Sequence, residues 1–175
     1  MKLQVGSGDH RVAPAQYKRG GWVNLDIVRV PGVNVMGSGY CLPFKTDAFE
    51  EVHCFHVLEH VTRDKYKPML AEMYRVLKPG GCLYVETPDF QGTVAKLTEA
   101  FATGNVRDIH VWTTSVYGKS ERPGMSHHWG FYDELLMGEF RNLGFKDVTR
   151  LTANDDMPSA SHYRVEPVLC VRGVK

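Results

Sequence analysis

Gly6-Ser7-Gly8 follows directly on the short apolar run Leu3-Gln4-Val5, and an acidic residue, Asp26, closes the next such run 18 positions after Gly8. Glycine presents no side chain to an approaching ligand and accepts unusual backbone angles, so such a turn lets a chain pass tightly beside a bound molecule. A carboxylate at the end of the neighbouring strand can accept both hydroxyl protons of a ribose. Together these residues point to an adenosine-containing cofactor. A dinucleotide would need a third glycine opening a helix, and Arg11 stands there with Pro14 soon after. No GxxxxGK loop is present for a nucleoside triphosphate. Adenosine carrying a sulfonium and an amino acid suits these residues better than either phosphate ligand.

Other residues could act on an acceptor. If the attacking atom begins protonated, a general base is useful. His128 is the first candidate, followed by His127 and Asp89. His56 is a further possibility with cofactor contact as its main role, and His110 belongs to the same stretch as His127. Trp112, Tyr117 and Trp129 could wall an acceptor or anchor an irregular segment. His56-Val57-Leu58-Glu59-His60 also spells HxxEH, the pattern of an inverted zinc-peptidase helix. The run Val52 to Phe55 before it reads as a strand, however, and no third ligand follows at helical spacing. Glu59 is read as satisfying local amide donors at the start of a helical region, and no metal site is assigned.

Positioning these groups requires strands that end near one another. Lys2 to Val5, Trp22 to Ile27, Val33 to Met36, Glu51 to Val57 and Cys82 to Val85 read as strands. Lys146 to Leu151 and Tyr163 to Val171 form a late pair, joined by a polar loop through Asp155 and Pro158. Only 13 residues separate Gly8 from Trp22, room for a short helix at most. Tyr66, Met69, Leu70, Met73, Tyr74 and Leu77 recur at spacings of three and four and predict an amphipathic helix, stopped by Lys78-Pro79-Gly80-Gly81. Val94, Leu97 and Phe101 suggest a short helix, after which residues 104–128 show weak periodicity. Residues 90–128 are therefore read as a substrate-covering segment. Phe131, Leu135, Phe140 and Leu143 mark a second amphipathic helix ended by Gly144. Strands alternating with crossovers predict an α/β domain with a mostly parallel sheet covered on both faces, and such sheets bind ligands beyond the carboxyl ends of their strands.

The 175 residues suit one domain. With 21 Lys and Arg against 20 Asp and Glu, the net charge is +1, which gives no strong positive field for nucleic acid. Cys41, Cys54, Cys82 and Cys170 form no CxxC pair, and the last three lie in apolar strand-like runs as small hydrophobes. No apolar run is long enough to cross a membrane, and nothing after Met1 reads as a secretion signal, so a cytoplasmic location is expected.

Leu3-Gln4-Val5-Gly6-Ser7-Gly8, Gly21-Trp22-Val23-Asn24-Leu25-Asp26, Leu42-Pro43-Phe44, Phe55-His56-Val57-Leu58-Glu59-His60 and Arg75-Val76-Leu77-Lys78-Pro79-Gly80-Gly81 occur in this order. Together they resemble the class I S-adenosylmethionine-dependent methyltransferases, particularly the small methyltransferase-11-like group. His128-Trp129-Gly130-Phe131 and Leu143-Gly144-Phe145 resemble that group's C-terminal part. The resemblance implies a three-layer α/β/α Rossmann-like fold, a seven-stranded mostly parallel sheet with a reversed last strand, across residues 1–175 as a single domain. It implies S-adenosyl-L-methionine as cofactor, with Gly6, Ser7 and Gly8 at the cofactor turn and Asp26 on the ribose. Ser38, where the family commonly has an aspartate, would face the adenine, with Gly39, Tyr40 and Leu42 continuing along it. His56 and Val57 would border the methionine side. The expected partner is a small-molecule or saccharide-linked acceptor, with a second copy in a homo-oligomer left open. A noncatalytic cofactor-binding or scaffolding protein and an RNA methyltransferase are the alternatives.

Overall fold

The computed structural model describes residues 1–9, 15–18, 20–119, 124–152 and 167–175. Among these residues seven strands form one sheet: β1 (Lys2–Val5), β2 (Trp22–Asp26), β3 (Val35–Met36), β4 (Phe49–Phe55), β5 (Leu77–Pro88), β6 (Lys146–Leu151) and β7 (Val168–Val174). Their order is β3-β2-β1-β4-β5-β7-β6. The neighbours from β3 to β5 are parallel, whereas β7 runs antiparallel to both β5 and β6. The reversed last strand is as the resemblance implies. Strand order departs in opposite directions from the β1–β4 pair, so the carboxyl ends of β1 and β4 flank the crevice where ligands bind in such sheets.

Side chains alternate across the sheet with period two. Leu3, Val5, Leu25, Val52, Cys54, Leu83 and Val85 are fully or almost fully buried in one apolar core. Met69, Leu70, Met73 and Val76 of α1 (Tyr66–Val76) and Leu136 and Phe140 of α4 (Asp133–Leu143) complete that core. Both helices lie where the apolar spacing places them. Each stops for a local reason. After α1 the backbone becomes extended at Leu77, and Gly144 adopts the left-handed conformation that caps α4.

The intervening positions share the opposite face, and their character is polar and aromatic. Gln4, Asn24 and His53 are aligned by register, with Tyr84 next to His53. Tyr17, on the short 3₁₀ turn Ala15–Lys18, covers this row. Its hydroxyl lies 2.8 Å from His53 Nδ1, and the His53 ring is surrounded by Tyr17, Trp22, Phe55 and Tyr84. His53 Nε2 is 2.7 Å from Glu51 Oε1. Burial holds this imidazole neutral and Nδ1 accepts from the tyrosine, while Nε2 sits at ion-pair distance from the carboxylate but off hydrogen-bonding geometry. This 3₁₀ turn is the described part of the first crossover, expected from the spacing to be abbreviated; residues 10–14 and 19 lie outside the described residues.

Several boundaries differ from the sequence reading. β3 is shorter, because Val33 and Asn34 are taken up in a turn whose amides bond to Val30 and Asn24 carbonyls. β4 ends at Phe55, because His56 takes a φ of 54° and turns the chain. β5 begins at Leu77, with the Lys78-Pro79-Gly80-Gly81 stop absorbed into an irregularity between the Phe49 and Glu51 pairings. Residues 90–117 are two helices, α2 (Phe90–Thr103) and α3 (Val106–Tyr117), where one short helix and an irregular stretch were expected. Their signals are caps. The side chains of Asp89 and Asn105 accept from the amides of Gly92 and Asp108, and Gly104 and Gly118 close the two helices at positive φ. α3 packs chiefly on α2, and Ser115 is its one buried residue. β7 runs from Val168 to Val174, while Tyr163 and the Asp155–Pro158 loop lie outside the described residues. All four cysteines are free, and Cys54 and Cys170 are buried.

The buried His53 cluster sets two expectations for stability. Tyr17→Phe leaves an imidazole nitrogen without its donor and should lower the unfolding free energy by about 1–3 kcal/mol, measured by chemical denaturation. Glu51, held by the His53 imidazole and by Lys2 against the opposing effect of burial, titrates at about 2 in place of 4.5. Its contribution is complete above pH 4.5 and is lost as pH falls toward 2, so Glu51→Gln should flatten the stability profile across that window in acid unfolding.

Candidate functional site

A cleft of about 890 Å³ opens along the carboxyl ends of the parallel strands. Five chain segments build its floor and one end: Val5 to Gly8 after β1, Asp26 to Val28 after β2, Gly37 to Tyr40 after β3, His56 to Lys65 after β4, and Pro88 of β5. The other end is formed by Thr114, Ser115 and Gly118 around the end of α3, and by Gly124, Met125 and His127.

The turn after β1 has a steric cause. Gly6 and Gly8 take φ values of 69° and 60°, which L side chains rarely adopt. A Cβ on Gly6 would also collide with Val57 Cγ2. The turn is tied to β2 by the Gly6 and Ser7 amides, which both donate to the Leu25 carbonyl. The Gly8 amide donates to Asp26 Oδ2 at 2.8 Å, and the Val28 amide to Asp26 Oδ1 at 2.9 Å. One amide on each oxygen fixes the carboxylate plane and leaves each oxygen capacity to accept a ribose hydroxyl.

Beyond Asp26, Ser38 Oγ is buried in the cleft wall with no hydrogen-bond partner among the described residues. It stands ready to bond a polar ligand edge. Gly39 brings the chain against α1, since a Cβ there would meet Met69 Cε at 2.5 Å. Tyr40 is 48% exposed, as are Ile27 (70%) and Val28 (56%), giving this end of the cleft an apolar, solvent-facing lip. Leu42 is not part of the lining. It is buried, its amide donates to Glu72 Oε2 at 2.8 Å, and its carbonyl accepts from the Arg75 guanidinium, so it anchors the 38–41 turn to α1. Ser7 likewise lies beneath the surface, its Oγ buried without a partner among the described residues.

The floor past β4 carries a buried ionic cluster. His56 Nε2 is 3.0 Å from Glu86 Oε1, and Nδ1 is 3.3 Å from Glu59 Oε1. Glu86 is completely buried and Glu59 is 2% exposed. Burial pushes the imidazole toward neutrality, but hydrogen bonds to Glu59 and then Glu86 outweigh it and carry its pKa up to about 9. An imidazolium between two carboxylates leaves one net negative charge beside the cleft. Glu59 therefore has a different role from amide capping: the 3₁₀ turn Leu58–His60 has no side-chain cap. Glu86 escaped the sequence reading. Its signal was an acidic residue in the strand run between Val85 and Pro88.

The candidate bases separate. His127 lines the cleft, its Nδ1 2.8 Å from the Ser115 carbonyl and its ring 5.0 Å from that of His60. His128 is exposed and outside the lining, and it contributes its backbone amide to the Glu59 carbonyl at 2.7 Å. Asp89 is also outside. Its carboxylate caps α2 and accepts from Arg150 at 2.9 Å, a structural assignment that uses both oxygens. His110 is exposed on α3. Trp129 stacks under the Arg63 guanidinium, and Trp112 belongs to a separate surface hollow between α2 and α3. His56 and His60 do not share a helix, as an inverted zinc-peptidase motif would require.

Comparison with known proteins agrees with this geometry. A family model described as a methyltransferase domain matches residues 3–85, from β1 into β5. The chain is 28% identical over 166 residues to the ubiquinone/menaquinone biosynthesis C-methyltransferase UbiE of Desulfotalea psychrophila, an alignment covering 85% of this chain. The chain spans 65% of the length of that curated relative. Among solved structures, a possible histamine N-methyltransferase from Thermotoga maritima superposes with a TM-score of 0.60 at 22% identity, covering 99% of this chain and 81% of that one. The 1,6-didemethyltoxoflavin-N1-methyltransferase of Burkholderia thailandensis, solved with its substrate and S-adenosylhomocysteine, gives 0.61 at 16% identity, covering 99% and 70%. The sheet order, the glycine turn and the Asp26 carboxylate fall on the strands that the methyltransferase-domain model matches, so residues 3–85 are similar to a methyltransferase domain and the chain has the fold of the S-adenosylmethionine-dependent methyltransferases it superposes on.

Proposed function

We propose that this chain transfers the methyl group of S-adenosylmethionine to a small-molecule or saccharide-linked acceptor received at the His60–His127 end of the cleft. The observation that carries the reading is the Gly8–Asp26 hydrogen bond, which presents a fixed carboxylate and a side-chain-free turn to one adenosine. The unpartnered Ser38 hydroxyl and the glycine cradle under Val57 fit the same ligand. Bound cofactor supplies an electrophilic methyl carbon on a sulfonium.

The residues of the chain have four tasks. Asp26 holds the ribose, and Ser38 with the 37–40 turn receives the adenine. The Glu59–His56–Glu86 cluster gives the methionine side a negative floor, which favours a cationic group in a site of low dielectric. Thr114, Ser115, Gly118 and the 124–127 segment roof the acceptor end and limit water, so alignment of the two reactants replaces a chance encounter. The near-neutral charge of the chain supports an acceptor other than nucleic acid. The acceptors named for the relatives differ in their reacting atom, carbon in one and nitrogen in two, so they support the substrate class without choosing the atom.

Two measurements check this reading. Calorimetry should show saturable micromolar binding of S-adenosylhomocysteine, weakened by about 1.5–3 kcal/mol in Asp26→Ala, the range for charge-assisted hydrogen bonds to ribose hydroxyls. Unchanged affinity in a folded variant refutes the ribose assignment. Methyl-labelled cofactor incubated with a metabolite extract should label a small-molecule or glycan fraction, with incorporation reduced in Asp26→Ala. Tight cofactor binding with no label in small molecules, RNA or protein would leave a cofactor-binding module in place of an enzyme.

A further inference from the structure

Glu59 and His60 meet His127 across the cleft through an arrangement that methyl transfer does not require. The turn Leu58–His60 and residues 126–128 are joined from both sides. The His128 amide donates to the Glu59 carbonyl at 2.7 Å, and His60 Nδ1 lies 3.0 Å from the Ser126 carbonyl. His127 Nδ1 is 2.8 Å from the Ser115 carbonyl. A carbonyl oxygen only accepts, so each of these contacts puts the ring proton on Nδ1 and the lone pair on Nε2. An imidazole whose second nitrogen donates to a backbone carbonyl is oriented as metal-ligating histidines are. Glu59 supplies an independent sign. It is 2% exposed, and its buried Oε2 has no hydrogen-bond partner among the described residues. One possible ligand atom from each of Glu59, His60 and His127 lies within 4.8 Å of the other two.

We propose that Glu59, His60 and His127 form a binding site for a divalent transition-metal cation, zinc being the best match, with an open coordination position facing the acceptor end of the cleft. Two imidazoles and one carboxylate suit zinc and its neighbours, whereas magnesium and calcium prefer oxygen alone. Three protein ligands with a fourth position open to a cleft is the arrangement of reactive sites, in contrast to closed structural ones. Tetrahedral donors with bonds near 2.0–2.1 Å stand about 3.4 Å apart, so the three ligand atoms have to draw together by no more than about 1.4 Å to close the set. All three residues line the same cleft, so an oxygen or nitrogen of an acceptor could occupy the open position, and a hydroxyl held there would become more acidic. The HxxEH sequence thus contributes its Glu-His pair, and the remaining ligand comes from a distant segment in place of the same helix. The site does not depend on methyl transfer.

The test uses the whole chain, stripped with a chelator and titrated with zinc against a chromophoric competitor, then with cobalt(II) to read its visible absorption. One equivalent should bind with micromolar or tighter affinity, and cobalt should give the intense bands of a four- or five-coordinate site. His60→Ala and His127→Ala should each weaken binding by more than about tenfold, while His110→Ala, an exposed residue of α3, leaves it unchanged. In unsubstituted protein, labelled imidazole Nε2 resonances of His60 and His127 should move on adding zinc. Stoichiometric uptake that leaves them unmoved overturns the proposal, as does affinity equal to that of a folded His60→Ala/His127→Ala double variant. S-adenosylhomocysteine binding, followed in parallel by calorimetry, separates the two readings. Zinc uptake without cofactor binding sinks the methyltransferase reading alone, and the reverse sinks the metal site alone.

Discussion

The hydrogen bond from the Gly8 amide to the Asp26 carboxylate joins two strand ends that the sheet alone would leave as neighbouring loops. It exists because three backbone requirements agree. Gly6 and Gly8 turn the chain at positive φ, Gly6 clears the way for Val57, and Val57 is placed by the sharp turn that His56 makes at the end of β4. A charge-assisted bond of this kind is among the stronger ones available to a protein. The loops after β1, β2 and β4 are consequently one interlocked surface, and the adenosine end of the cleft inherits its shape from them.

Two histidines three residues apart show how sharply the sheet sorts its environments. His53 and His56 are both largely buried, yet burial prevails at His53 and yields to carboxylates at His56. The difference is the number and exposure of partners. His53 shares the partly exposed Glu51 with Lys2, and its other nitrogen meets a neutral tyrosine. His56 is held between Glu59 and Glu86, neither of which has appreciable access to water. One imidazole thus serves as a neutral packing element, and the other as an embedded cation held between two acidic side chains beneath the cleft.

Much of the architecture was legible in the sequence because it depends on local signals. The apolar stripe of α1, the glycine after α4 and the Gly6-Ser7-Gly8 turn with Asp26 all declare themselves within a few positions. The length of α2 and the existence of α3 did not. The information lay in Asp89, Gly104, Asn105 and Gly118 as caps. The same oversight made Asp89 look like a base, since a carboxylate at a strand end and one at a helix start occupy the same place in the chain. His127 and His128 could not be separated by composition, because only the pairing of residues 118 and 126 decides which ring turns inward. Glu86 and the meeting of His60 with His127 depend on contacts across 30 and 67 positions of chain, which no periodicity encodes.

The double fastening between residues 58–60 and 126–128 divides the cleft into two unlike ends. At one, backbone bonds on both sides of His127 make the boundary a wall, and opening it would break hydrogen bonds at Glu59, Ser126 and Tyr117 together. At the other, Ile27, Val28 and Tyr40 are exposed and form an apolar lip. A fastened end of this kind acts as a gauge for the size and shape of any molecule set against it, since fitting a larger one would cost those bonds.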